Sequence, residues 1–211
     1  LVELAAAKGA VSPPGQVYAY NNTNYVLLGM IIEKLTGNTA GAEITRRIID
    51  RLGLENTRFP TTPAMPAPFM HGYMPDTNVG QGTGGPATID MSVESPTPFY
   101  TAGGMISDLM DLKVWLQALA SGALLSPEMQ RERMTFGPPN TSSYGLGVMS
   151  GGNVVGHSGE ITGYNSSAYT QHGGNGATIV VLINRYPSKV EGASDQILAE
   201  IGKAIADLIQ R

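Results

Sequence analysis

The sequence predicts an α+β fold, and three observations predict it. Helical apolar spacing fills the front of the chain, strand-like runs are confined to its last third, and the two kinds do not alternate. A parallel βαβ sheet would need them to alternate. The 211 residues read as one unit, with about 1–140 helical and loop, and about 141–211 holding three strands and a closing helix.

Each element has a local reason. Leu1 to Lys8 reads as a helix tail stopped by Gly9, and "SPPG" (Ser12 to Gly15) is a turn signal. In "YAYNNTNYVLLGMIIEKLTGN", Asn22 or Thr23 can cap a helix whose Tyr25, Leu28, Ile32 and Leu35 recur at helical spacing, with Gly37 as its stop. A second helix runs from about Thr39 to Leu52, ahead of Gly53. From Glu55 to Phe99 no periodicity survives, and Pro and Gly recur through "PTTPAMPAP" and "NVGQGTGGPA", which predicts a long loop region. Ser107, followed by Asp108, is the expected cap of the helix in "SDLMDLKVWLQALASG". Ser126 with Pro127 opens the next helix, in "LLSPEMQRERM". "NVVGHSG", "YNSSAYTQ" and "ATIVVLINR" then read as strands, the last two joined through "HGGNG". An amphipathic helix closes the chain at about Ser194 to Gln210, with Ile197, Ile201, Ile205 and Leu208 on one face.

Composition narrows the function. The 42% apolar content suffices for a core, while charged residues make up only 14%, against about 25% in typical soluble domains. With 27 Gly and 14 Pro, this mix predicts long ordered loops. The net charge of −4, without a Lys/Arg cluster, gives no footprint for nucleic acid or an anionic membrane. The absence of Cys rules out disulfides and thiolate-bound zinc within these residues, and fits a cytosolic or an exported protein equally. The three histidines, His71, His157 and His172, show no metal-ligand spacing. No apolar run reaches the length of a membrane span. The opening "LVELAAAKGAVSPPG", without Met or a leader pattern, reads as a cut into a longer chain.

Two short stretches carry chemistry. In "VVGHSGEITGYNSS" the tempting pair is Ser158 as nucleophile and His157 as base. Neighbours on a strand point to opposite faces, so His157 is badly placed to serve that Ser. The elbow G-x-S-x-G is also missed by one position, since the order is Gly156-His157-Ser158-Gly159-Glu160. Taken alone, His157 reads as a strand-edge residue with its ring in solvent. In "YAYNNTNY", Tyr20 and Asn22 stand two apart ahead of a helix. On an extended segment both side chains would face one way, setting a proton-handling phenol beside an amide-binding carboxamide.

Together the two stretches resemble the serine β-lactamases and penicillin-recognising DD-peptidases. That family carries S-x-x-K on a helix, Y-x-N or S-D-N on a loop, and K-T-G or H-x-G on a strand. Tyr20-Asn21-Asn22 is similar to the second element and His157-Ser158-Gly159 to the third. "RLGLENTRF", "HGY", "TAGGMISDLMDLKVWLQAL" and "YGLGV" resemble the class C β-lactamase, DD-carboxypeptidase and esterase branch. The resemblance implies an antiparallel sheet flanked by helices, with a helical subdomain, and acyl transfer through a Ser ester. Tyr20 would shuttle the proton, its pKa lowered by neighbouring positive charge. Asn22 would hold the substrate carbonyl, and His157 would polarise Tyr20 or bind the substrate's anionic end. Ser158 and Gly159 would bind substrate along the strand, and the Glu160 N–H would form half of an oxyanion hole. Phe99 and Tyr100 would line the pocket wall or simply pack in the core.

Three departures matter. None of Lys8, Lys34, Lys113, Lys189 and Lys203 has a Ser three residues earlier, so no S-x-x-K is present. The expectation is that a preceding N-terminal segment of the same protein supplies the nucleophile and further strands, and that this chain alone is inert. His157 stands where β-lactamases have Lys, which resembles DD-carboxypeptidases, D-amino-acid amidohydrolases and some esterases. Met149 follows "YGLGV", near where some DD-carboxypeptidases hold a terminal carboxylate with Arg, and a thioether makes no such pair. The resemblance implies a DD-carboxypeptidase-like enzyme or a related amidohydrolase, acting on a small-molecule or peptide amide or ester, with no cofactor and no metal. An esterase or a non-catalytic binding protein are the alternatives. Export to the periplasm or outside is implied by the resemblance.

Overall fold

A computed structural model describes residues 2–75, 88–137 and 143–185, together with Gln196, Ile197, Ala199, Glu200 and Lys203. Helix α1 (Val2–Ala7) ends before Gly9, as its sequence predicts. Helix α2 (Asn22–Thr36) ends at Gly37, whose φ of 72° only glycine adopts without strain, and whose N–H returns to the Glu33 carbonyl at 2.9 Å. The cap at its start is Asn21, not Asn22 or Thr23. The Asn21 backbone is extended and its Oδ1 accepts the Thr23 N–H at 2.9 Å. The expected helix from Thr39 to Leu52 is α3 (Ala40–Ile44), a π turn (Thr45–Ile49) and α4 (Asp50–Leu52) in succession. Inside it Glu43 is 3% exposed. Its carboxylate takes bonds from Asn38 (2.8 Å), Arg46 (2.7 Å) and Arg47 (2.5 Å).

The described residues after Gly53 are mostly irregular, with 76–87 of the expected loop region outside the description, but two short strands are clipped into an antiparallel ladder: β1 (Tyr73–Pro75) and β2 (Thr88–Asp90). His71 Nδ1 bonds Asp90 Oδ2 at 2.6 Å, while Ser92 donates to the other carboxylate oxygen through its N–H and its hydroxyl. A four-residue turn of helix, α5 (Tyr100–Gly103), follows. Helix α6 (Leu109–Ser121) is capped by Asp108 and not by Ser107. Asp108 Oδ1 accepts the Asp111 N–H at 2.8 Å, whereas the Ser107 hydroxyl is 2.8 Å from that of Thr57. Helix α7 (Pro127–Arg133) has Ser126 as cap and Pro127 first, as predicted.

Among the described residues the main sheet has four antiparallel strands rather than three, in the order β3-β4-β5-β6. Beyond the expected β4 (Val154–Ile161), β5 (Tyr164–Gln171) and β6 (Thr178–Ile183), a three-residue β3 (Met149–Gly151) pairs with Val154–Gly156. Because β3 is so short, His157 to Ile161 have a strand neighbour on one side only among the described residues. Strand β6 likewise pairs with β5 alone among the described strands. Helix α6 packs on β5 and β6, and Leu119, Ala120, Val148 and Val155 form the buried core beneath Trp115, Met134 and Phe136. Of the closing helix, Gln196, Ile197, Ala199, Glu200 and Lys203 are helical; the rest, with Ile201, Ile205 and Leu208, lies outside the described residues.

Helix α2 is held against α5 through Gly29, where a Cβ would sit 2.4 Å from Thr101 Oγ1 and 2.8 Å from the Tyr100 ring. Gly29→Ala is therefore expected to cost about 1–3 kcal/mol by overpacking, read from a urea unfolding curve. Asn21→Ala should cost about 1 kcal/mol and Asn21→Gly only a few tenths, because glycine is itself an acceptable cap. A third expectation concerns acid. Hydrogen bonds from Arg47, Arg46 and Asn38 hold Glu43 at about 2, and those from Ser92 and His71 hold Asp90 at about 2, against ordinary values of 4.5 and 3.8. The unfolded chain binds these protons first, so their contribution is complete above pH 4.5 and is lost as pH falls toward 2. The urea midpoint should fall across that window, and Glu43→Gln should flatten part of the fall.

Candidate functional site

Tyr20 lies on the loop before α2, Asn22 in the first turn of α2, and His157 in the middle of β4 opposite Ala168. The fold brings all three together. The Tyr20 hydroxyl donates to Asn22 Oδ1 at 3.1 Å, and the Tyr20 ring centroid is 6.2 Å from that of His157, tilted by 41°. Capping makes this pairing possible. Asn21 spends its side chain on the helix terminus, which leaves its two neighbours to face one another.

The imidazole is fully engaged. Nδ1 makes a short contact with the Ser158 carbonyl, and Nε2 is 2.7 Å from the Tyr144 hydroxyl. Tyr144 reaches back to Tyr25 on α2, oxygen to oxygen at 3.0 Å. The Tyr144 ring meets His157 edge-on, at 5.4 Å and 90°, and meets Tyr20 at 5.7 Å and 76°. Tyr18 completes the cluster 6.0 Å from Tyr144. Within the described residues both His157 nitrogens face groups other than the Tyr20 hydroxyl, which donates to Asn22. Here burial, then the Tyr25 and Tyr18 phenols, push the Tyr20 pKa up; the positive charge expected to lower it was to come from outside these residues.

Tyr144 is the residue that sequence reasoning missed. It opens the "YGLGV" stretch quoted above for its likeness, and a bridge from it to Met149 sets it at the mouth of β3. Burial raises its pKa. Met149 sits opposite Gly156 and takes a 3.6 Å contact from the Tyr169 hydroxyl to its sulfur.

Ser158, Gly159 and Glu160 continue along β4 opposite Ser167, Ser166 and Asn165. Strand alternation sets His157 and Gly159 on one face, with Ser158 and Glu160 on the other. The His157–Ser158 contact uses the serine's carbonyl and not its hydroxyl, so the two are no nucleophile–base pair. Tyr100 packs against Gly29 of α2 and against Phe59. Its ring meets Phe59 edge-on at 5.8 Å, its backbone is held at φ 37°, and burial followed by the Glu33 carboxylate pushes its phenol up to about 12. Among the described residues no cluster of three or more His, Asp or Glu could hold a metal ion.

Comparison with known proteins places the chain in a family. The family model described as Beta-lactamase matches residues 1–202. The chain is 34% identical to a D-stereospecific amidohydrolase from Streptomyces sp., with a TM-score of 0.78 over 87% of this chain and 55% of that one. A D-amino acid amidase from Ochrobactrum anthropi SV3, solved with L-phenylalanine amide, is 25% identical with a TM-score of 0.80, over 98% of this chain and 62% of that one. A Bacillus subtilis (strain 168) protein provisionally named penicillin-binding protein PbpX is 26% identical over 184 residues, which is 87% of this chain and 44% of that protein. The chain thus spans less than half the length of the curated relatives it matches. With a Y-x-N loop, an H-x-G strand and a family match along nearly its whole length, the chain belongs to the beta-lactamase family.

Proposed function

We propose that this chain forms the Tyr–Asn–His side of a serine hydrolase that works through an acyl-enzyme, with D-aminoacyl amides or peptides as the preferred substrate class. The observation that carries the reading is the joining of Tyr20, Asn22 and His157 across segments far apart in sequence. The nucleophilic serine and its lysine come from outside these 211 residues, since no S-x-x-K occurs within them. The serine Oγ attacks the amide carbonyl, its proton passes through Tyr20 to the leaving amine, and water then hydrolyses the ester. Tyr20, with its raised pKa, is protonated at neutral pH and so suited to donate to the leaving group. Acting as the base would need a cation beside it, which the family's lysine would supply.

Asn22 holds the acyl carbonyl. The open side of β4 beyond Gly156 receives the substrate as an added strand, with the Glu160 N–H as an oxyanion donor. Ser158 and Gly159 line that edge. Met149 beside β4 favours an amidohydrolase over a strict carboxypeptidase, because it offers no guanidinium for a terminal carboxylate. The two amide-hydrolysing structural relatives point the same way. Export from the cytoplasm belongs to this reading by resemblance. No helix among the described residues is long and apolar enough to cross a membrane.

The test compares the full-length protein with this chain alone. Both are incubated with a fluorescent penicillin, D-phenylalanine amide, a p-nitrophenyl ester and a D-Ala-D-Ala peptide. The full-length protein should be labelled and should turn over the amide faster than the peptide, while this chain stays unlabelled. Tyr20→Phe in the full-length protein should lower kcat by about 10²–10⁴-fold without changing the fold. Absence of both labelling and turnover would instead mark a binding protein that kept the architecture, and turnover of the ester alone would mark an esterase.

A further inference from the structure

The hydrogen-bond chain behind His157 runs in one direction. The Ser158 carbonyl can only accept, so the nitrogen facing it, Nδ1, carries a hydrogen. In a neutral imidazole Nε2 then holds a lone pair, and the group 2.7 Å away, the Tyr144 hydroxyl, must donate to it. With its only proton spent, the Tyr144 oxygen accepts from Tyr25 at 3.0 Å. Three elements contribute: α2 gives Tyr25, the segment before β3 gives Tyr144, and β4 gives His157.

We propose that Tyr144, backed by Tyr25, is a positioning residue that holds His157 in its Nδ1–H tautomer with Nε2 occupied, so that the imidazole packs against Tyr20 and is withheld from acting as a base. This rests on the acyl-transfer reading only in giving His157 a place in the mechanism; the tautomer itself does not depend on it. The perpendicular setting of the Tyr144 ring on His157 aims the phenol edge at the imidazole. Among the described residues, the titratable groups packed around the imidazole are Tyr20 and Tyr144, with Tyr25 and Tyr18 behind them. Burial keeps the Tyr144 phenol protonated well above neutral pH, and so keeps it a donor.

An imidazole held this way differs from one free to bind substrate. To take a substrate carboxylate, His157 would have to release Tyr144, protonate at Nε2 and turn the Tyr144–Tyr25 bond around. The arrangement therefore favours uncharged acyl groups beside His157.

The test is nitrogen-15 NMR of the imidazole nitrogens in the histidine-labelled full-length protein, with the His157 signals assigned by their loss in His157→Gln. Unsubstituted His157 should be the Nδ1–H tautomer. Tyr144→Phe, which keeps the ring and removes the donor, should lower the Nδ1–H to Nε2–H ratio about fivefold. Tyr25→Phe should move it the same way by less. An Nε2–H tautomer in the unsubstituted protein, or an unchanged ratio in folded Tyr144→Phe, overturns the proposal. Should Tyr144→Phe fail to fold, the unsubstituted tautomer and Tyr25→Phe decide the matter. In the full-length protein Tyr144→Phe should lower kcat with little change in KM. A shifted tautomer with unaltered kcat would uphold the positioning and remove His157 from the reaction.

Discussion

One hydrogen bond, from the Thr23 amide to Asn21 Oδ1, fixes where α2 begins, and the site is arranged around it. A helix leaves its first amides without partners, so the residue that satisfies them sets the phase of everything that follows. With Asn21 as cap, Asn22 enters the helix while Tyr20 stays on the loop, and the two side chains meet across the turn. The same phase puts Tyr25 one turn further on, within reach of Tyr144, and sets Gly29 against Thr101. The middle member of the Y-x-N triplet is thus structural, and the outer members are available for chemistry.

Much of the fold was legible because its signals are local. Gly37 and Ser126–Pro127 act within a turn of their own position, and the strand period and the "HGGNG" turn likewise need only neighbours. The caps fall at Asn21 rather than Asn22 or Thr23, and at Asp108 rather than Ser107, because each has a polar residue beside it that could serve as well. Which of them accepts the free amide depends on backbone dihedrals that composition does not encode. The pairing of Tyr73–Pro75 with Thr88–Asp90 and the three-residue β3 were missed for another reason. They are too short to show a period and exist only through partners elsewhere in the chain.

The site was legible as residue types and illegible as geometry. Tyr20, Asn22 and His157 could be named from their spacing, but the wiring between them could not. Tyr144 is invisible as a hydrogen-bonding residue until α2, the segment before β3 and β4 are superposed in space. The Tyr20 pKa divides in the same way: the described surroundings are phenols and apolar burial, which penalise the phenolate, whereas the cation expected to lower it lies outside these residues.

The brevity of β3 has a stereochemical consequence. An extended segment seated along His157–Ile161 would have its carbonyls and amides fixed by the strand, leaving each α-carbon only two places for its side chain. Inverting the α-carbon exchanges side chain and hydrogen between the two faces of the sheet. On one face the side chain would meet His157 and the tyrosines packed around it; on the other it would meet the side of Ser158 and Glu160. Among the described residues this edge has two such unlike faces, so a segment seated along it would be sorted by the hand of its α-carbon without a pocket shaped to a particular side chain.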